Sequence, residues 1–157
     1  MLVESVLRYL ERGIETVCES LELPCVILRP NAIEDVGGAS PVFAVDAREL
    51  QTRRDTERSA ITSCVGTIVV LSDADSGLEL VDASLQALAD LFAPDASRSL
   101  IPSGVITEPL FPNGVRRLRI YPSRLRRGND VIENGRYRTT LLIDLEIEEE
   151  MNYVGNE

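Results

Sequence analysis

The sequence predicts an α+β domain in which a mainly antiparallel β-sheet is packed by two amphipathic helices on one face. In two segments, apolar residues recur at three- and four-residue steps, which is the period of a helix with one buried side. Other segments are apolar or alternate with period two, and short links between them favour antiparallel pairing. The 157 residues fit one domain. We place that domain at residues 1–148 and an acidic C-terminal tail at 149–157.

The first helix is predicted to run from Leu2 to Leu21. Gly13 lies inside it and costs about 1 kcal/mol there, which indicates either close packing or a bend. The second helix is predicted from Leu78 to Phe92. Ser76 and Glu79 precede and open it with the spacing of a capping box, in which each side chain satisfies a free backbone N–H.

The strands are predicted from apolar or alternating runs, with one further short strand possible around Val105–Ile106. The most apolar run, Ala60–Leu71, is predicted to lie at the centre of the sheet. The charged stretch 48–59 is either the tip of a long hairpin or a loop, and residues 122–135 are predicted to be a connector. The predicted strands are Cys25–Leu28, Val42–Ala47, Ala60–Leu71, Val115–Tyr121 and Tyr137–Ile147.

Charge is segregated along the chain. Residues 1–97 carry a net charge of −10, residues 98–138 carry +6 and residues 139–157 carry −6. All 16 basic residues are arginine. Arginine suits subunit interfaces because its guanidinium can make a bidentate contact with a carboxylate. Arginine usage of this kind also follows from codon bias in GC-rich genomes.

Segments of opposite charge on one protein can pair between neighbouring copies, and such head-to-tail contacts close into rings. We therefore predict a subunit or partner interface. A solvated sheet edge and a phosphate-binding surface for nucleic acid, with Tyr121 and Tyr137 as stacking platforms, are the alternatives. The predicted interface residues are Arg116, Arg117, Arg119, Arg124, Arg126, Arg127, Arg136, Arg138, Glu148, Glu149 and Glu150.

Several familiar kinds of active site are excluded by composition. The chain has no histidine and no lysine, which removes Ser-His-Asp and Cys-His sites, imidazole metal sites and the phosphate-binding P-loop. Asp73–Gly77 only superficially resembles a calcium loop and is better explained as a turn. Cys18, Cys25 and Cys64 lack metal or disulfide spacing and are predicted to be buried free thiols. We expect no enzyme activity, cofactor or metal.

The order of these elements resembles the tail terminator, or tail completion, proteins of long-tailed bacteriophages. The resemblance lies in the amphipathic first helix, a strand with a charged hairpin, and the strand Gly66–Leu71 leading through a short turn into the helix Leu78–Phe92. A closing hairpin through Asn134–Arg138 then enters a long alternating strand. The resemblance covers about residues 1–148 and depends on element order, because the family has no invariant motif.

The resemblance implies a structural virion protein without catalytic residues. Such proteins form a hexameric ring at the head-proximal end of the tail tube, end its growth and join the tail to the head connector. The implied partners are further copies of the chain, the tail tube protein, the head–tail connector or stopper, and genomic DNA that passes through the lumen without specific binding. The implied location is the virion neck, assembled in the host cytoplasm, with no membrane partner. Another neck joint protein, such as a stopper or adaptor, is the alternative, followed by a small nucleic-acid-binding module.

Overall fold

A computed structural model of the chain describes residues 2–30, 41–54, 56–57, 59–73, 78–93, 105–109, 114–133 and 135–153. Helix α1 spans Leu2–Ser20 and helix α2 spans Leu78–Leu91. Neither described helix is both long and apolar enough to cross a membrane. The strands are β1 Ile27–Leu28, β2 Val42–Arg54, β3 Ser59–Asp73, β4 Val105–Pro109, β5 Gly114–Arg127, β6 Val131–Glu133 and β7 Arg136–Tyr153.

The strands form one sheet in the order β1-β2-β3-β7-β5-β4, and β6 also pairs with β7. Among the described strands, β1 and β2 pair in parallel and the other pairs are antiparallel. Strands β3 and β7 occupy the centre, and their pairing runs from Ser59 opposite Glu150 to Asp73 opposite Arg136. The α+β class and the central position of β3 are therefore confirmed.

The core lies on the face of the sheet that carries both helices. Along β3 every second residue from Ala60 to Ser72 is buried, and along β7 every second residue from Tyr137 to Ile147 is buried. This period of two places one set of side chains against the helices. The helical partners in the core include Leu10, Ile14, Val17, Val81, Leu85, Leu88 and Phe92.

Gly13 lets the two helices approach closely. A Cβ atom added at Gly13 would lie 2.3 Å from Cζ of Phe92, and the ring of Phe92 meets that of Tyr9 edge to face, with centroids 5.5 Å apart. Helix α1 continues through this position to Ser20. Of the two explanations offered for Gly13, close packing is the one the structure supports.

The end of α1 is closed by a backbone cap. Glu22 adopts a left-handed conformation with φ of 54°, and the N–H of Leu23 donates to the carbonyl oxygen of Cys18 at 2.8 Å, the bond typical of a Schellman cap. Strand β1 begins only at Ile27, so Cys25 lies in the link before it. The prediction that Cys25 is a buried strand residue is therefore wrong, since its side chain is exposed.

Arg29, which follows β1, binds two acidic side chains of α1. Its Nη1 donates to both carboxylate oxygens of Glu4, at 2.8 and 2.7 Å, and its Nη2 forms an ion pair with Glu11. The hydrogen bond from Arg29 holds the pKa of Glu4 below its ordinary value. This clasp links residues that are far apart in the sequence.

Strands β2, β5 and β7 extend well beyond their predicted C-terminal ends. Strand β2 continues through the charged residues to Arg54, which supports the hairpin alternative for stretch 48–59. Strand β5 runs to Arg127 through part of the predicted connector, with irregular pairing between Pro122 and Arg124. Strand β7 runs to Tyr153, so residues 149–153 belong to the sheet and not to a tail. Pairing uses only backbone groups, which explains why charged segments can extend these strands.

Strand β6 was not predicted, whereas β4 confirms and extends the short strand at Val105–Ile106. Residues 31–40, the capping residue Ser76, the rest of the calcium-like turn at 74–77, Asn134 and residues 154–157 lie outside the described residues.

Candidate interaction surface

The face of the sheet opposite the helices carries the predicted charged residues. We call it the open face and define it by the side chains that alternate with the buried positions on Ile61–Leu71 of β3, Arg136–Glu150 of β7 and Arg117–Arg126 of β5. On β3 these side chains are half-buried and mostly apolar or small, whereas on β5 and β7 they are largely charged.

Basic and acidic residues form adjacent rows on the open face. The acidic row on β7 is Asp144, Glu146, Glu148 and Glu150, and the basic row on β5 is Arg117, Arg119, Arg124 and Arg126. The strand register places Arg117 opposite Glu150, Arg119 opposite Glu148 and Arg124 opposite Asp144. Opposite charges in facing positions of antiparallel strands stabilise the pair by roughly 0.2–1 kcal/mol. The two rows therefore form a charge ladder within one chain.

Direct contacts hold parts of this ladder in place. Nη2 of Arg126 donates to Oδ1 of Asp144 at 2.7 Å. Nη1 of Arg119 donates to the hydroxyl of Tyr121 at 3.1 Å, and that hydroxyl donates to Oε2 of Glu148 at 3.4 Å. The pKa of Arg119 is raised above its ordinary value, first by its hydrogen bond to Tyr121 and then by nearby carboxylates such as Glu148.

The structure brings most of the predicted interface residues onto one face. By alternation Arg136 and Arg138 join the open face, together with Glu148 and Glu150. Glu149 alternates to the helix side, opposite the buried Ala60. Arg127 lies outside the open face.

For Arg116 the structure describes the backbone, which pairs with Glu108 and Met151. Arg127 turns to the helix side, where its Nη2 lies 3.0 Å from Oδ2 of Asp130 and 3.7 Å from Oδ1 of Asp82 in α2. The reason is the irregularity after Pro122, which shifts the alternation of β5 by one residue. Arg127 therefore lies on the opposite side of the sheet from Arg117, Arg119, Arg124 and Arg126.

Segregated charge in the sequence does not produce separate patches in the fold. The Arg-rich and acidic segments were expected to attract one another between copies. Because β5 and β7 are neighbours in the sheet, the two segments lie side by side and already neutralise one another in part. The acidic row begins at Asp144 and includes Glu146, which the sequence analysis did not assign to the interface. The alternation of acids through Glu150 was the signal that could have identified it.

Two shallow depressions lie on the open face. The first measures about 340 Å³ and lies over the end of β7, and the second measures about 240 Å³ and lies over β3. Both are open to solvent. Such shapes suit contact with another surface better than enclosure of a small molecule. Residues around the first include Ser59, Ile61, Arg117, Arg119, Glu148 and Glu150, and those around the second include Asp46, Arg48, Val65, Thr67 and Leu142.

Asp130 organises a polar cluster on the helix side of the sheet. Its carboxylate accepts hydrogen bonds from the hydroxyls of Tyr137 at 2.5 Å and Thr139 at 2.6 Å, and from Nη2 of Arg127 at 3.0 Å. The bond from Thr139 makes the largest contribution to holding the pKa of Asp130 below its ordinary value, followed by that from Tyr137.

This cluster changes the interpretation of Tyr137. Its side chain is 8% exposed and its hydroxyl binds Asp130, so its ring is not available as a stacking platform for a nucleic-acid base.

In the part of the chain that the structure describes, no group of three or more His, Cys, Asp or Glu residues could hold a metal ion.

Comparisons with known proteins add information on the fold only. The chain matches no family model and no curated protein. Several solved structures are similar to it, and one of them has a TM-score of 0.55 at 12% sequence identity, over 94% of this chain and 96% of the other. A likeness at this identity shows a shared fold, which extends over nearly the whole of both chains, and it assigns no function.

Proposed function

We propose that this chain is a structural subunit of a bacteriophage neck: a tail terminator that forms a hexameric ring at the head-proximal end of the tail tube. The ring ends tube growth and offers a surface to the head connector. The observation that supports the proposal most directly is the element order. An amphipathic helix, a long charged hairpin, a second helix and a long final strand follow one another as in the family that the sequence resembles.

The open face supports a role in contact between proteins. Its arginines on β5 are exposed, its depressions are shallow, and its apolar positions on β3 are half-buried. Arginine beside aromatic and apolar groups is typical of interface composition. We assign the contacts between subunits, or between the ring and the tube, to this face. No residue is assigned a catalytic role.

Electron microscopy of tails tests the proposal. Purified tails that lack the protein are mixed with it, stained negatively and imaged. We expect added density at the head-proximal end of the tube and at no other position. Tails that show no added density at that end would count decisively against a terminator.

A charge reversal tests the assigned face. Arg124→Glu combined with Arg126→Glu should weaken hexamer formation while the monomer still folds, because both side chains lie exposed in the basic row. The matched control reverses Arg8 and Arg12, two exposed arginines of α1 on the helix side. Light scattering reports the oligomer and circular dichroism reports the fold. An unchanged hexamer in the open-face variant would remove this face from the interface.

The alternatives have distinct outcomes. A protein that binds the head connector but never the tail tube is a stopper or adaptor. Nucleic-acid binding is disfavoured because the basic row has an acidic row beside it and Tyr137 is buried. The net charge of −10 also repels phosphate, which would let DNA slide through a lumen. We therefore expect no shift of single-stranded DNA in a gel even at low salt, where phosphate contacts are strongest.

A further inference from the structure

Helix α2 exposes a stripe of acidic and small side chains. The stripe lies on one side of the helix, because residues three and four apart are neighbours on a helix surface. The helix contains no basic residue, so its exposed side carries only negative charge, around a small centre at Ala83. We call this side the acidic stripe, and its members are Glu79, Asp82, Ala83, Gln86 and Asp90.

The open face carries a strip of half-buried, mostly apolar side chains on β3 and β7. In the described part of the chain both helices pack on the other face of the sheet, and apolar surface rimmed by polar residues is typical of a contact with another protein. On β2 the strip is bordered by Asp46 and Arg48, whose opposite charges offset one another. We call it the apolar strip, and its members are Val65, Thr67, Val69, Leu71, Thr140 and Leu142.

Positive charge exceeds negative charge around the apolar strip. Asp144 is compensated within the chain, because Nη2 of Arg126 lies 2.7 Å from its Oδ1. Arg124 and Arg138 also border the strip, and both are exposed. Among the described residues, no ion pair involves either of these two arginines. They are therefore available to carboxylates of another molecule.

The acidic stripe and the apolar strip match in length. Arg138 belongs to β7 and Arg124 faces Asp144 of β7, so the two arginines are separated by about 20 Å at about 3.4 Å per strand residue. Glu79 and Asp90 are separated by about 16 Å along α2 at about 1.5 Å per helix residue. An acid at each end of the stripe can therefore reach an arginine at each end of the strip, and the alanine between the acids allows close approach.

We propose that the acidic stripe of α2 in one copy binds the apolar strip of the open face in the next copy. This inference rests on the proposed function, because it names the contact that would join the subunits of the ring. The two surfaces lie on opposite faces of one sheet, so each copy binds one neighbour through α2 and another through its open face. Contacts of this heterologous kind form a ring when the rotation between neighbours closes. The arginines fix the register of the contact, and burial of the apolar strip supplies attraction at short range.

Two variants of the full chain, each blocked on one surface, test this contact. The first combines Asp82→Arg with Asp90→Arg and keeps a native open face. The second combines Arg124→Glu with Arg138→Glu and keeps a native α2. Size-exclusion chromatography with light scattering should find each variant monomeric, while circular dichroism finds each one folded. Mixed in equal amounts, they share one intact contact and should form a dimer with one copy of each, and nothing larger.

A matched control separates this contact from a general effect of charge. Glu15→Arg combined with Glu19→Arg replaces two exposed acids of α1 and changes the net charge as much as the α2 variant does. The control should assemble as the native chain does, because α1 lies outside the proposed contact.

Three outcomes would overturn the inference. They are a blocked variant that still assembles like the native chain, a mixture of the two variants that contains only monomers, and a native chain that stays monomeric in concentrated solution. Imaging of tails separates this inference from the proposed function. Density on the tail together with an intact hexamer in the α2 variant would overturn only the contact, whereas mixed dimers without density on the tail would overturn only the terminator.

Discussion

Replacing Gly13 with alanine should destabilise this fold, although alanine is the better helix former. The added Cβ would lie 2.3, 2.8 and 3.2 Å from three atoms of the Phe92 ring, whereas carbon atoms in contact prefer about 3.5–4.0 Å. The ring is fully buried and packs against Tyr9, so it cannot move without disturbing other core residues.

The magnitude follows from two opposed contributions. Overpacking of a well-packed core costs typically 1–3 kcal/mol, and an overlap of more than about 1 Å with a buried ring justifies the upper value of about 3 kcal/mol. Replacing glycine with alanine inside a helix stabilises the fold by about 1 kcal/mol, because alanine has the higher helix propensity. We therefore expect the free energy of unfolding to fall by about 2 kcal/mol for Gly13→Ala.

Urea unfolding followed by circular dichroism measures this change, which should appear in the midpoint with an unchanged slope. In a Phe92→Leu background, which leaves room for the new methyl group, the effect of Gly13→Ala should shrink or become stabilising. Ala83→Gly on the exposed side of α2 calibrates the propensity contribution in this protein. If Gly13→Ala is as stable as the native sequence, the close approach of Phe92 does not limit this position.

Two further predictions concern Asp130 and Leu50. The pKa of Asp130 is lowered in the fold, so its stabilisation is present above the unfolded pKa and is lost as pH falls through the lower folded pKa. Asp130→Asn should therefore reduce stability by about 1 kcal/mol at pH 7, after allowance for the partial exposure of the side chain. Urea titrations at several pH values should show the stability difference between the native chain and the variant closing below pH 3.8, the ordinary pKa of the aspartate side chain. A stability difference that stays constant with pH would contradict this. Leu50 is 54% exposed beside the irregular pairing of β2, and Leu50→Ser should change stability by less than about 0.5 kcal/mol. A larger loss for Leu50→Ser in the same titration would mean that this side chain is packed in solution.

The helices could be predicted closely because burial on one side imposes the helical period on the sequence. Helix α1 was expected to end at Leu21 and ends at Ser20. Strand ends could not be predicted in the same way. Beyond Ala47, the remaining residues of β2 are exposed on both faces, so no alternation between apolar and polar residues marks the strand. Backbone hydrogen bonds to β3 hold this part of β2, and such bonds impose no pattern on the side chains of β2.

The charged surface could be predicted in composition but not in geometry. The sequence identified the arginines and the terminal acids, yet facing pairs such as Arg119 and Glu148 depend on register between distant segments. Counting alternate residues from Arg117 would place Arg127 on the same face. The irregularity between Pro122 and Arg124 reverses that alternation, which is why Arg127 binds Asp130 on the helix side. A one-residue shift is enough to change the face of every later side chain.

The charge ladder also changes the expected salt dependence of assembly. The basic row has carboxylates beside it in the same chain, so a neighbouring copy would compete with existing partners and long-range attraction through this face should be weak. Each copy nevertheless carries a net charge of −10, which makes copies repel one another at a distance. For the proposed ring, binding energy would then come from short-range packing and desolvation around Tyr121 and the apolar positions of β3. Raising salt from about 0.01 to about 0.15 M shortens the screening length from about 30 to about 8 Å, and assembly followed by light scattering should become faster. Slower assembly would mean that attraction between unlike charges on different copies dominates, as the sequence alone had suggested.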